Sequence, residues 1–150
     1  MDYILTTNAL SKEYGTFKAL NAVSMHIPKG AIYGFVGKNG AGKTTLIRLI
    51  CGLQTATFGE YTLYGRKSTD KEINKSRKRM GAVVETPSIY LDMTAEENLK
   101  TQYRILGLPS FDGLAELLKL VGLENTGKKK AKKFSLGMRQ RLGIAVALCG

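Results

Sequence analysis

The sequence is short of acid. Its 12 aspartates and glutamates face 23 lysines and arginines, for a formal net charge of +11. A balance of that sign fits an acidic partner, either nucleic acid or an anionic membrane surface, or a solvated basic face, and charge alone leaves these open. Cysteine is scarce as well. Cys51 and Cys149 stand in apolar, helical contexts, as free buried thiols do in a reducing compartment, and neither a disulfide framework nor a metal site has support. The single histidine, His26, sits between apolar residues of a predicted strand; with no partner motif near it, a structural role is expected. No apolar run approaches the roughly 18 to 20 residues of a membrane span. Met1 to Leu10 lacks the basic start and apolar core of a secretory signal. What remains is an ordinary globular composition, 43% hydrophobic and 23% charged over 150 residues, enough for one domain with a core.

The most informative stretch is Gly37 to Thr45, GKNGAGKTT. It matches the phosphate-binding pattern G-x-x-x-x-G-K-[ST] through Gly37, Gly42, Lys43 and Thr44. Glycines let the chain curl tightly, and the curl turns successive backbone N–H groups inward as an anion nest. A helix starting at Lys43 or Thr44 adds its positive end. Lys43 reaches the β- and γ-phosphates in this pattern, and the Thr44 hydroxyl holds Mg²⁺. The flanks agree: the apolar run Ala31 to Val36 predicts a buried strand, and Thr45 to Ile50 predicts a helix. The sequence therefore specifies a binder of nucleoside triphosphate with Mg²⁺.

In chain order, Tyr3–Leu10 and Ala19–Ile27 read as strands around a turn at Tyr14-Gly15-Thr16. With the run before the loop they predict a small antiparallel sheet joined to an α/β nucleotide core. Tyr14, beside a glycine at a strand end, has the chemistry to stack on a purine base, and equally to pack. Glu60–Tyr64 reads as a strand and Asp70–Arg79 as a short basic surface helix. Gly81–Glu85 predicts a buried core strand that presents Glu85 at its carboxyl end, where ligand-facing groups of open α/β sheets lie; a solvated strand end is the alternative. Thr94-Ala95-Glu96-Glu97 is a capping box that starts a helix to Gly107. Leu114, Leu117, Leu118 and Val121 space a second helix, which forms a hairpin with the first. Lys128–Lys133 reads as an exposed loop. Ser135 caps a last helix, Leu136 to Cys149, whose positive end is a second candidate anion site or simply a capped helix.

This order of motifs resembles the ATP-binding subunits of ABC transporters, over essentially the whole chain. The resemblance is carried by Tyr14-Gly15, by Gly37 to Thr45, by the position of Glu85, and by Phe134-Ser135-Leu136-Gly137-Met138-Arg139-Gln140-Arg141. That last stretch is similar to the family signature, usually Leu-Ser-Gly-Gly-Gln followed by a basic residue, Gln and Arg. The resemblance implies a P-loop NTPase core with a small antiparallel β subdomain and a helical subdomain. The core and β subdomain would span residues 1–85, the helical subdomain 86–135, and the signature helix 135–150. It implies that Tyr14 stacks on adenine, and that Gly37, Asn39, Gly40, Ala41, Gly42, Lys43, Thr44 and Thr45 hold ATP and Mg²⁺. Ser135 and Gly137 would touch the γ-phosphate of ATP bound to an opposing subunit. Glu85 would sense Mg²⁺ and the attacking water, so that Lys43 and Glu85 carry the catalytic roles and Thr44 and Glu85 face the metal.

Three departures from the family pattern stand out. Position 85 is Glu where the family usually has Gln, which adds negative charge near the phosphates. Leu136 and Met138 replace a glycine and a glutamine of the signature. Both changes resemble the branch that exports bacitracin- and lantibiotic-type peptides. Third, no Asp-Glu-ended strand, D-loop or switch histidine follows by Gly150, so the chain is expected to be the N-terminal part of a longer ATPase, truncated before the Walker B strand, with weak or no turnover alone. The implied partners are an integral-membrane permease and a second ATP-binding subunit in a head-to-tail dimer at the cytoplasmic face of the membrane. On this reading nucleic acid is not the expected partner. A soluble ABC-type ATPase acting on ribosomes or nucleic acid, and a non-hydrolysing module that dimerises around ATP, are the competing readings.

Overall fold

The turn at Gly15-Thr16 reverses the chain between two long strands, β1 (Tyr3–Tyr14) and β2 (Phe17–Pro28). The computed structural model describes residues 2–149, and the chain divides into two units, Met1–Arg79 and Met80–Gly150. Both strands run past their predicted ends, and β1 carries an irregularity that breaks the inward–outward alternation. Its register against β2 shifts between Thr7 and Leu10, and Ala9 and Ala22 take left-handed backbone angles, φ 46° and 49°. The extra residue changes which positions face inward, so Leu5 and Thr7 are buried before the shift and Leu10 and Ser11 after it. Three hydroxyls satisfy backbone groups at the shift, the first being Ser24 Oγ, which accepts from Ala9 N–H at 2.9 Å. Thr7 Oγ1 donates to the Val23 carbonyl at 2.9 Å and accepts from Met25 N–H at 3.1 Å. Ser11 Oγ accepts from Ala22 N–H at 2.8 Å and donates to the Ala9 carbonyl at 3.1 Å.

The sheet is antiparallel, ordered β2-β1-β3-β4, with β3 (Phe58–Leu63) and β4 (Arg66–Lys67) completing it. Helix α1 (Lys43–Ile50) packs on β2 and buries Leu46 and Leu49. The basic segment after β4 forms only a short helix, α2 (Ile73–Arg77). The core here is Leu5, Leu10, Leu20, Met25, Leu46, Leu49, Tyr61, Leu63 and Ile73.

Two predicted strands are not formed. Residues 31–36 are irregular, and Ile32 and Val36 are fully exposed. Residues 81–85 are irregular as well, with Glu85 in a left-handed conformation, φ 59°. A strand exists only when a neighbour takes up its N–H and C=O groups, and no described strand pairs with either run. Gly81 is nonetheless fixed closely. A Cβ there would sit 1.7 Å from the Ala147 carbonyl oxygen.

The second unit is helical: α3 (Ala95–Ile105), α4 (Leu114–Leu120) and α5 (Leu136–Ala147), around Leu99, Leu123, Ala131, Phe134, Leu142 and Ala145. The capping box at Thr94 forms as its sequence specifies. Thr94 Oγ1 accepts from Glu97 N–H at 3.1 Å, and Glu97 Oε2 accepts from Thr94 N–H at 2.7 Å. Buried Asn98 binds Tyr90 through both its donor and its acceptor and also reaches the Thr94 carbonyl, so the turn before α3 is pinned to the helix. The lysine run is more ordered than an exposed loop. It forms a 3-10 turn, Ala131–Lys133. Lys130 pairs with Glu97 at 3.1 Å and Lys132 with Asp92 at 2.8 Å. Both cysteines are free, Cys149 buried and Cys51 half-buried, and burial raises both thiol pKa values.

The Thr94 N–H, then Lys130, holds the Glu97 carboxyl below its ordinary range, and Lys132 does the same to Asp92. A carboxylate depressed in the folded chain contributes stability above its unfolded pKa, and that contribution disappears as pH falls through the folded value. Glu97→Gln should therefore lower the urea midpoint at neutral pH, with the difference from wild type shrinking as pH falls through the acid range. Thr94→Ala should cost about 1 kcal/mol in the same unfolding measurement.

Candidate nucleotide site

The site in the first unit begins with a backbone requirement. Gly42 caps α1 in the left-handed conformation, φ 89° and ψ 8°. A Cβ on Gly42 would lie 2.2 Å from the Ala19 carbonyl oxygen of β2 and 3.2 Å from the Leu20 side chain. Only glycine meets both conditions at once. Gly40, φ 83°, is left-handed but faces open space. Gly37 packs on the loop itself, where its Cβ would meet the Ala41 Cβ at 3.1 Å.

Lys43 is the first residue of α1. Its ammonium group donates to the Gly37 carbonyl and, at 2.7 Å, to the Lys38 carbonyl. The cation thus lies across the loop's own curl, which Ala41 N–H closes on the Lys38 carbonyl at 3.1 Å. The first turn of α1 has neither a side-chain cap nor an acidic residue, so its leading N–H groups keep their attraction for an anion. Asn39, Gly40, Gly42, Lys43, Thr44 and Thr45 line one cavity of about 460 Å³, together with Ala19 and Phe17. The loop backbone and the Lys43 cation on its wall suit a phosphate chain, beside the apolar Ala19 and Phe17.

Phe17 is absent from the sequence reading. It is 62% exposed and opens β2 directly across the hairpin from Tyr14. An exposed aromatic paired with the expected base contact is the signal that could have marked it. Tyr14 itself is 47% exposed, and it is not among the cavity's lining residues. Its hydroxyl donates to Gln54 Oε1 at 2.8 Å, and the Lys12 ammonium sits 5.2 Å from its ring centre.

The remaining predicted residues belong to the second unit. Glu85 is exposed, on the irregular segment after Gly81. Ser135 caps α5 by accepting from Met138 N–H at 3.2 Å. Gly137 has open space where a Cβ would be, and Leu136 beside it is largely exposed. The arginines of this stretch are structural. Arg141 donates to the Val121 carbonyl at 2.9 Å, at the C-terminus of α4, and Arg139 to the Lys132 carbonyl at 2.7 Å. Cations at a helix's carboxyl end satisfy its leftover carbonyls. Among the described residues no three His, Cys, Asp or Glu side chains cluster as a metal cage. The Thr44 hydroxyl, on the cavity wall, is the protein oxygen that could hold a cation beside a bound phosphate.

A glycine-capped helix opening on lysine, set against an antiparallel sheet and followed by a helical unit, defines a P-loop nucleotide-binding protein. The chain belongs to the ABC transporter family, whose profile matches residues 20–150. It is 43% identical to the bacitracin transport ATP-binding protein BcrA of Bacillus licheniformis over 150 residues, 99% of this chain and 48% of BcrA. It is 40% identical to the lantibiotic transport ATP-binding protein SrtF of Streptococcus pyogenes, over 97% of this chain and 61% of SrtF. Among solved structures, it superposes on the dimeric ATP-binding cassette MJ0796 bound to ADP and Pi with a TM-score of 0.80 and 27% identity, covering 97% of this chain and 69% of that one. The chain thus spans about half the length of BcrA.

The two left-handed glycines separate two kinds of cost. Gly40→Ala should lose about 1 kcal/mol, the strain of an alanine in that conformation. Gly42→Ala adds the clash with the Ala19 carbonyl and should lose at least about 2 kcal/mol in urea unfolding.

Proposed function

We propose that this chain holds ATP at the Gly37–Thr45 loop, and that in the whole protein ATP hydrolysis powers export of a substrate across a membrane. The observation that carries the proposal is the left-handed Gly42 cap with Lys43 laid across the loop carbonyls. Such a cradle attracts a polyanion through N–H groups, a helix end and a fixed cation together.

In this reading Gly37, Asn39, Gly40, Ala41, Gly42, Lys43 and Thr45 bind the phosphates, and the Thr44 hydroxyl takes Mg²⁺. The metal supplies charge neutralisation between the phosphate oxygens. Lys43 stabilises the charge that develops there. Tyr14 stacks on the base, with Phe17 beside it. Glu85 orients the attacking water and faces the metal. Ser135 keeps a hydroxyl proton to donate after accepting from Met138 N–H, and with Gly137 it contacts the nucleotide of an opposing subunit, arranged head to tail. The names of BcrA and SrtF favour peptide antibiotics of the bacitracin and lantibiotic kinds as cargo. No described helix is long and apolar enough to cross a membrane. In this reading an integral-membrane permease forms the passage, and the chain works at the membrane's cytoplasmic face, as the transport names of BcrA and SrtF favour.

Lys43→Ala tests the carrying observation. It removes one charge-assisted contact to phosphate, and MgATP affinity in isothermal titration should drop about tenfold to a hundredfold. ATP turnover by the whole protein should fall with it. Unchanged affinity would remove the loop from the site.

A further inference from the structure

Four consecutive residues at the end of β1 bind one loop, residues 51–57. The Ser11 carbonyl accepts from Thr57 N–H at 2.9 Å. Lys12 Nζ donates to the Thr55 carbonyl at 2.8 Å. Glu13 N–H donates to Thr57 Oγ1 at 3.0 Å. Tyr14 hydroxyl donates to Gln54 Oε1 at 2.8 Å. The other end of this loop continues α1 directly: Gly52 N–H donates to the Leu49 carbonyl at 3.1 Å and Leu53 N–H to the Arg48 carbonyl at 2.9 Å.

A single hydrogen-bonded path therefore leads from the phosphate loop to Tyr14. It runs along the eight residues of α1, about 12 Å of helix, then through the 51–57 loop to the tyrosine hydroxyl. A half-exposed tyrosine on a hairpin end has two free side-chain torsions, and a base gains little from a ring that must be ordered first. Gln54 removes that freedom by holding the hydroxyl. The Lys12 ammonium sits over the ring, and Tyr14 remains half-exposed, so ring surface is left on which a base can stack.

We propose that Gln54, assisted by Lys12, is a positioning residue that fixes Tyr14 at a set distance from the phosphate loop, and so determines how strongly the site prefers an adenine nucleotide over a bare polyphosphate. The inference rests on the reading of Tyr14 as the base contact.

Isothermal titration with MgATP and with magnesium tripolyphosphate tests it, because only the first probe carries a base. Gln54→Leu should weaken MgATP about five- to tenfold, the loss of one hydrogen bond's ordering, and leave tripolyphosphate within about twofold. Gln54→Glu keeps an acceptor and should stay within about twofold of wild type for both probes. Tyr14→Phe should match Gln54→Leu, and combining the two should add nothing further. Unchanged MgATP affinity in Gln54→Leu, equal losses for both probes, or additive losses in the double variant would overturn the proposal. Tyr14→Ala separates its failure from that of the underlying reading. If Tyr14→Ala selectively weakens MgATP and Gln54→Leu does not, only the positioning role falls. If wild type prefers neither probe and Tyr14→Ala changes nothing, the base contact and the positioning role fall together.

Discussion

The closest constraint in the first unit is the approach of Gly42 to the Ala19 carbonyl. A Cβ would be 2.2 Å from that oxygen, so the phosphate loop and β2 meet at a point that only glycine can occupy. Much follows from the contact. It sets the direction in which α1 leaves the loop, and thus where the helix's positive end points. It lets Leu46 and Leu49 reach the sheet's core. The 51–57 loop then leaves α1 at a height fixed by the helix and returns to the end of β1. The phosphate and base ends of the site are two products of one rigid sheet-and-helix unit. That is how a loop of exposed glycines acquires a defined geometry: its own contacts are few, and the scaffold beneath it supplies the rest.

The second unit is held by different chemistry. Its helices are short, and their ends are tied with side chains: Thr94 and Glu97 at α3, Arg141 at the carboxyl end of α4, Ser135 at α5. The surface ion pairs of Lys130 and Lys132 add little energy on their own, but they sit beside backbone bonds from Ala131 and Lys132 to Met93 and Leu91. These bonds hold the basic run against the turn before α3. Charge that reads from sequence as an exposed basic loop is partly consumed in organising the fold.

Local interactions were legible in the sequence. The Thr94 box, the Ser135 cap and the curl of the glycine loop each depend on residues a few positions apart, and each forms with the partners its sequence specifies. The class of fold was legible for the same reason, since the order of such motifs carries it. Pairings over long distances were not. Residues 31–36 and 81–85 have the apolar character of buried strands, yet a strand is a property of two segments, and neither run has a described neighbour. β1 continues past Leu10 through a shifted register that Thr7, Ser11 and Ser24 bridge with bonds to distant backbone groups. Gln54 carries no motif at all. Its importance comes from a bond to Tyr14 across 40 positions, and Phe17 enters through the cavity it lines.

The central claim is that one scaffold presents a triphosphate cradle and a base contact together. Amide hydrogen exchange with and without MgATP measures this residue by residue. Nucleotide should slow exchange at residues 37–46 and, through the bonded path, at 51–57 and 12–14, while the buried amides of β1 and β3 away from the site stay unchanged. An absence of added protection at 37–46 under saturating MgATP, or protection confined to other segments, would contradict it.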